Sequence, residues 1–217
     1  YTARIVDVPA STGYGEPVQK LFKLRDGERV VAAYSLDARV SGAIAPVAKG
    51  GKPADPDAEP PVQALAVTSD GYSLRFSFEP FLEPSTRAGR RFARPADGAE
   101  VVGVARITGD EVVIAATAEA RAMLCRADEV NYLSGPGKGV ILIKLASDED
   151  RVIGFIASTG DRDLLKVETS RGGEQTISTA KYEVTGRGGK GRELLQRGQF
   201  TRVLPPEVET PQPLGGS

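Results

Sequence analysis

Gly135-Pro-Gly-Lys-Gly139 and Arg187-Gly-Gly-Lys-Gly191 share a Gly-Lys-Gly core, and their spacing decides the fold. Upstream of each stands a short apolar stretch, Val112-Val-Ile-Ala-Ala116 and Leu164-Leu-Lys-Val167. Twenty-five residues separate Val112 from Gly137 and Leu164 from Gly189, and the same interval separates Ala64, in Ala64-Leu-Ala-Val67, from Gly89. A partial further copy opens the chain. Tyr1-Thr-Ala-Arg-Ile5 parallels Tyr72-Ser-Leu-Arg-Phe76, each followed by a proline, Pro9 or Pro80. Gly13-Tyr-Gly15 stands where Gly135-Pro-Gly137 stands, and fourteen residues lead from Gly15 to Arg29 as from Gly137 to Arg151. This copy lacks the opening apolar stretch, so the chain is expected to begin inside a unit, as a piece of a longer polypeptide.

A fixed period of about fifty residues is the mark of a repeat architecture, in which each unit buries its apolar face on its neighbours. Four units follow, at about 1–44, 62–110, 111–161 and 162–203. Residues 45–61, rich in proline and alanine, lie between the first two as an inserted surface loop, since proline cannot donate to a strand ladder. Residues 204–217 are expected to form a disordered tail. Within a unit the pattern is that of strands. Val112–Ala116, Ala120–Cys125, Val140–Leu145 and Val152–Ile156 are short apolar or alternating runs. Turn dipeptides such as Asp70-Gly71, Asp97-Gly98 and Gly160-Asp161 separate such runs. The Ala-rich stretch Val113 to Leu124 would suit a helix, but the repeat requires two strands there. The expected fold is all-β and propeller-like, about four blades of four short antiparallel strands.

Composition narrows the function. Among 217 residues there is no histidine or tryptophan and a single cysteine, Cys125. That removes the Ser-His-Asp triad, the Cys-His pair and the zinc cluster. Cys125 cannot form an internal disulfide, which suits a reducing cytoplasm, and its apolar surroundings mark it as a core residue. No apolar run approaches the ~20 residues of a membrane-spanning helix. The formal net charge of −1 conceals 28 basic and 29 acidic residues, so their placement matters more than their sum.

The glycine anchors gather positive charge in three units: Arg87, Arg90 and Arg91, with Arg94 beyond, then Lys138, then Arg187, Lys190 and Arg192. Glycines let backbone approach a ligand closely, and Arg and Lys supply cations for phosphate. One such loop per blade would string an arc of positive charge along the rim, suited to a bent polyanion held without base reading. The plainer alternative is a set of ordinary turns with solvated charges. Two phosphate motifs match only as letters. Gly186-Arg-Gly-Gly-Lys-Gly191 fits G-x-G-x-x-G but lacks the βαβ setting, and Gly137-Lys-Gly139 lacks the hydroxyl residue that follows a P-loop lysine. Asp128-Glu129 and Asp148-Glu-Asp150 lie in turns as solvated charge.

With these residues in view, Asn131-Tyr-Leu-Ser-Gly-Pro-Gly-Lys-Gly-Val-Ile-Leu-Ile-Lys-Leu145 resembles a blade of the C-terminal domain of bacterial type IIA topoisomerase A subunits, the A subunits of DNA gyrase and topoisomerase IV. Pro17-Val-Gln-Lys-Leu-Phe-Lys-Leu-Arg-Asp-Gly-Glu28 and Thr185-Gly-Arg-Gly-Gly-Lys-Gly191 resemble the same family, and the likeness covers residues 1 to about 203. It implies a β-pinwheel, a propeller relative in which neighbouring blades exchange strands, and a basic rim that binds and bends duplex DNA for the catalytic core. The gyrase signature Q-R-R-G-G-x-G has its nearest counterpart at Gly186–Gly191, with Thr185 for the glutamine and Gly186 for the first arginine. That counterpart lies in the last unit rather than early. Either the true box lies upstream of Tyr1, or this is a topoisomerase IV-like protein with a degenerate box; the near-neutral charge favours the second.

The resemblance therefore implies a domain without catalysis of its own and without a cofactor, in a cytoplasmic, nucleoid-associated parent that uses ATP and Mg. Its partners would be duplex DNA, the catalytic core and the B subunit, with Arg87, Arg90, Arg91, Lys138, Arg187, Lys190 and Arg192 on phosphates. The six tyrosines would not include the nucleophile. The rivals are a protein-interaction propeller of kelch-like period and, more remotely, a small-molecule enzyme on a propeller.

Overall fold

The computed structural model describes residues 1–8, 10, 15–42, 44–53, 55, 58 and 60–205. Gly13 and Tyr14 of the first glycine anchor, and all but the first two residues of the expected tail, lie outside them. Among the described residues, eleven strands lie in three antiparallel sheets and the one α-helix is a single turn, Ala38–Ser41. The strands are Gln63–Thr68 (β1), Tyr72–Ser77 (β2), Val101–Ile107 (β3), Val112–Thr117 (β4), Arg121–Arg126 (β5), Val140–Ile141 (β6), Val152–Ser158 (β7), Leu165–Thr169 (β8), Glu174–Ile177 (β9), Arg192–Glu193 (β10) and Phe200–Val203 (β11). The sheet orders are β3-β1-β2-β6, β7-β4-β5-β10 and β11-β8-β9.

Each sheet has an inner strand, β1, β4 or β8, flanked by a middle strand, β2, β5 or β9, and an outer strand, β3, β7 or β11. β1 and β4 need continuous apolar runs because both of their faces are covered, whereas β8 alternates, burying Leu165 and Val167 but not Lys166 and Glu168. On one face of β1, Leu65 and Val67 pack with Val113, Ala115, Met123 and Cys125 of the second sheet. Alternate residues of β4, Ile114 and Ala116, turn the other way and meet Leu165, Val167, Ile177 and Phe200 of the third. The far face of β1, Ala64 and Ala66, joins Leu74, Phe76 and Phe78, with Phe92 stacked on Phe76 at 4.9 Å between ring centroids. Burying a Leu, Ile or Phe side chain stabilises by roughly 1.5–3 kcal/mol, so these interlayer contacts dominate cohesion. The Ala-rich run 113–124 folds as two strands joined at Ala120, whose φ of 57° makes the hairpin turn.

The fourth strand of a sheet does not come from its own unit. β6, in the unit that holds β4 and β5, pairs with β2 of the sheet before it, through Tyr72–Ile141 and Ser73–Val140. β10 pairs with β5 of the preceding sheet in the same way, through Ala122–Arg192 and Arg121–Glu193. Blades thus exchange strands, as the resemblance implies.

Two details depart from the sequence pattern. Val140–Leu145 supplies only two strand residues, Val140–Ile141, because Leu142 and Ile143 leave the ladder to bury in the core. Four strands were expected in each of four units, but the described residues form sheets of four, four and three strands. Among them, residues 1–61 contribute no named strand, only 3-10 turns, the short helix and a bridge between Val47 and Pro53. The reason is pairing: residues 1–44 hold no counterpart of the inner strand. Their segment around 29–36 still runs beside β3, with Tyr34 Oη donating to the Val104 carbonyl and Arg29 3.1 Å from Glu100. The loop between the first two units is docked on the second and third, since Gln63 Nε2 donates to the Gly51 carbonyl and Gly51 lies against Tyr132.

Candidate nucleic-acid interface

The glycine anchors are where one unit meets the next. Gly139 and Gly191 hold φ of 84° and 67°, a left-handed conformation that favours glycine. A Cβ on Gly139 would stand 2.1 Å from the Ser73 carbonyl oxygen, and one on Gly191 would stand 2.5 Å from that of Ala122. The close approach read from the sequence is real, but the surface approached is the middle strand of the neighbouring blade. These glycines let β6 and β10 dock.

Backbone hydrogen bonds then stitch the loops into one band. Lys23 N–H donates to the Arg87 carbonyl at 2.9 Å, Arg94 N–H to Gly137 at 2.8 Å, and Lys144 N–H to Gly189 at 2.8 Å. Each bond crosses from one unit to the anchor loop of the next. The side chains of Lys23, Arg94 and Lys144 are all exposed, and none pairs with a described residue. None of the three was among the seven residues the sequence singled out as phosphate contacts. Their signal is a cation after two apolar residues, in Leu21-Phe22-Lys23, Phe92-Ala93-Arg94 and Leu142-Ile143-Lys144. Unequal distances from the glycine anchors hide it.

The seven predicted cations separate by what holds them. Arg187 is half-buried; its Nε donates to the Glu129 carbonyl at 2.7 Å and its Nη1 to that of Ile141 at 3.2 Å. Arg90 donates to the carbonyls of Glu83, at 2.6 Å, and Pro84, at 3.3 Å. Arg87 reaches the Gln19 carbonyl at 3.4 Å. Lys138 folds back on the β1–β2 hairpin, 3.9 Å above the Tyr72 ring and 3.7 Å from an Asp70 oxygen. Arg192 is exposed, 5.6 Å from the centre of the Tyr182 ring. Arg91 and Lys190 are exposed and pair with no described residue.

A further arginine, Arg75 on β2, is buried and joins two units. Its Nε donates to the Val130 carbonyl at 2.6 Å, its Nη1 to Gln63 Oε1 at 3.2 Å, and its Nη2 to the Asp128 carbonyl at 3.3 Å. Burial pushes its guanidinium down, opposed by the nearby Asp128 charge. Cys125 is a core residue; burial, aided by the Glu129 charge, pushes its thiol up to about 12. No group of metal-ligating side chains occurs among the described residues.

Comparison with known proteins fits this arrangement. Residues 63–108 and 111–159 match the model of the DNA gyrase C-terminal domain, a β-propeller. Over 199 residues, 91% of this chain, the gyrase A protein of Aminobacterium colombiense is 27% identical; that of Escherichia coli is 25% identical over 88% of the chain. The chain spans only about a fifth of each, 21% and 20%. Among solved structures, the C-terminal domain of DNA topoisomerase IV superposes with a TM-score of 0.69 at 16% identity, covering 88% of this chain and 54% of that one. The E. coli ParC C-terminal domain gives 0.64 at 18%, covering 95% of this chain and 75% of that one. The repeat, the exchanged strands and the match over residues 63–108 and 111–159 converge: over those residues the chain is similar to the DNA gyrase C-terminal domain, and its fold is that β-propeller.

Proposed function

We propose that this chain is the DNA-binding and DNA-bending part of a type IIA topoisomerase, within the polypeptide that corresponds to gyrase A. It carries no catalysis of its own and guides a duplex segment to the catalytic core. The observation that supports this most is the band of anchor loops, hydrogen-bonded unit to unit and bearing exposed cations on each loop. A polyanion laid along such a band meets a cation at each blade, and phosphate contacts hold without reading bases. The names of the relatives point the same way. In the parent, ATP and Mg would serve the other regions, and the core and B subunit would be the protein partners. The parent would be cytoplasmic and nucleoid-associated; among the described residues no helix is long and apolar enough to cross a membrane.

Duplex binding measured against salt, with a bend reporter on the DNA, tests this. Affinity falling linearly on log–log axes together with bending supports it. A flat salt dependence overturns it and gives the lead to a protein-interaction propeller. Where the duplex is bound and bent, the handedness of the wrapped DNA distinguishes topoisomerase IV-like from gyrase-like behaviour.

A further inference from the structure

We infer that Lys23, Arg94 and Lys144 form the phosphate-contacting row of this domain, one cation at each unit boundary, and that the row ends at Gln196. The inference rests on the DNA-binding reading above and goes on to say which residues carry it. All three positions share one geometry. Each follows two apolar residues that pack inward: Leu21 and Phe22 half-buried, Phe92 half-buried with Ala93 buried, and Leu142 and Ile143 both buried. Each then spends its backbone N–H on the anchor loop of the next unit, at 2.8–2.9 Å. The main chain beneath each cation is therefore fixed at the blade boundary, while the side chain stands in solvent and pairs with no described residue.

Most cations nearer the glycines are otherwise engaged. Arg187, Arg90 and Arg87 spend N–H groups on carbonyls, and Lys138 faces Asp70 and Tyr72. A phosphate would have to displace those contacts, whereas Lys23, Arg94 and Lys144 hold no described partner to displace. In the last unit the equivalent stretch is Leu194-Leu195-Gln196, and Gln196 stands seven residues after Gly189 as Lys144 stands seven after Gly137. The preceding leucine keeps its place too: Leu194 N–H donates to Ala120 at 2.9 Å, as Leu142 donates to Gly71 at 2.8 Å. A neutral amide at that position breaks the row.

The test uses the full chain and a random-sequence duplex, with the log–log salt slope of binding as readout. Each phosphate contact contributes about 0.9 to that slope. The K23A/R94A/K144A variant is expected to lower the slope by about 2.7 with an unchanged melting temperature, and Q196K is expected to raise it by about 0.9. A triple variant that melts like the parent but keeps its slope overturns the row while leaving DNA binding intact. A parent chain with no slope at all overturns the DNA-binding reading and the row together. Should the triple variant melt early, K144Q alone decides, by a fall of about 0.9 or none.

Discussion

The junctions between units are built in two ways. From the second unit to the third, and from the third to the fourth, the anchor loop continues into an exchanged strand, β6 or β10, that extends the preceding sheet. From the first to the second, the loop at 85–94 makes no strand. It is held by the Ser85 N–H on the Thr2 carbonyl, at 2.9 Å, by the Arg87 carbonyl accepting from Lys23, and by the Tyr1 ring against Gly89. The difference lies in what the loop lands on. β2 and β5 are already paired to an inner strand, which presents their free edge as a straight ladder. Tyr1–Ile5 has no inner strand beside it, and Ile5 and Val6 stay 87% and 83% exposed. An exchanged strand thus needs a finished hairpin to receive it.

Glycine substitutions should break the two kinds of junction unequally. Gly139→Ala forces a methyl to within 2.1 Å of the Ser73 carbonyl at a left-handed φ. Ser73 is paired in β2 and Gly139 is tied to it through the adjoining Val140, so neither side yields easily, and a loss of about 3–5 kcal/mol in urea unfolding is expected. Gly191→Ala should cost a comparable amount against Ala122.

Arg187→Ala tests the same junction through its side chain. It strips two partners from the carbonyls of Glu129 and Ile141, and about 1–2 kcal/mol should be lost for a half-buried group. Its salt slope for DNA should change by less than one phosphate contact, which separates a tie between blades from a DNA contact.

At the irregular junction, the nearest atoms to a Gly89→Ala methyl are those of the Tyr1 ring, 2.8 Å away, and that ring is half-exposed and can turn aside. The cost should be close to that of the left-handed φ alone, about 1 kcal/mol. A loss as large as that of Gly139→Ala would mean that residues 1–24 are as firmly built as the exchanged strands.

Cys125 gives the finest readout, since it lies on β5 in the layer between the first two sheets. With its thiol pushed up to about 12, it should resist a thiol-directed reagent at mildly alkaline pH until that layer opens. Gly139→Ala should speed labelling far more than Gly89→Ala. The linkage has a definite sign. The folded thiol keeps its proton to higher pH than the unfolded one, so its contribution opposes folding only as pH rises through the ordinary thiol range, and below that range it is absent.

Much of this was legible in the chain. The equal spacing from the apolar runs at 64–67 and 112–116 to the glycines gave the repeat, and the repeat made those runs strands, although the Ala-rich second one would by itself suit a helix. The exchange of strands was not legible from pairing signals. β6 and β10 are two residues long, and their partners lie in the preceding unit, about 68 and 71 residues away. The roles of the arginines were hidden for a related reason. Arg187 and Lys190 read alike as loop cations, yet of the two only Arg187 comes within reach of two carbonyls of the neighbouring unit.

The sequence by itself determined the β class and the repeat, because period and apolar patterning are properties of neighbours along the chain, and its glycine-anchor motifs carried the likeness to the DNA gyrase C-terminal domain. Tertiary structure alone decided which glycines face backbone and which cations stand free. Those follow from how one unit lands on the next, and landing depends on edges that no single stretch of sequence contains.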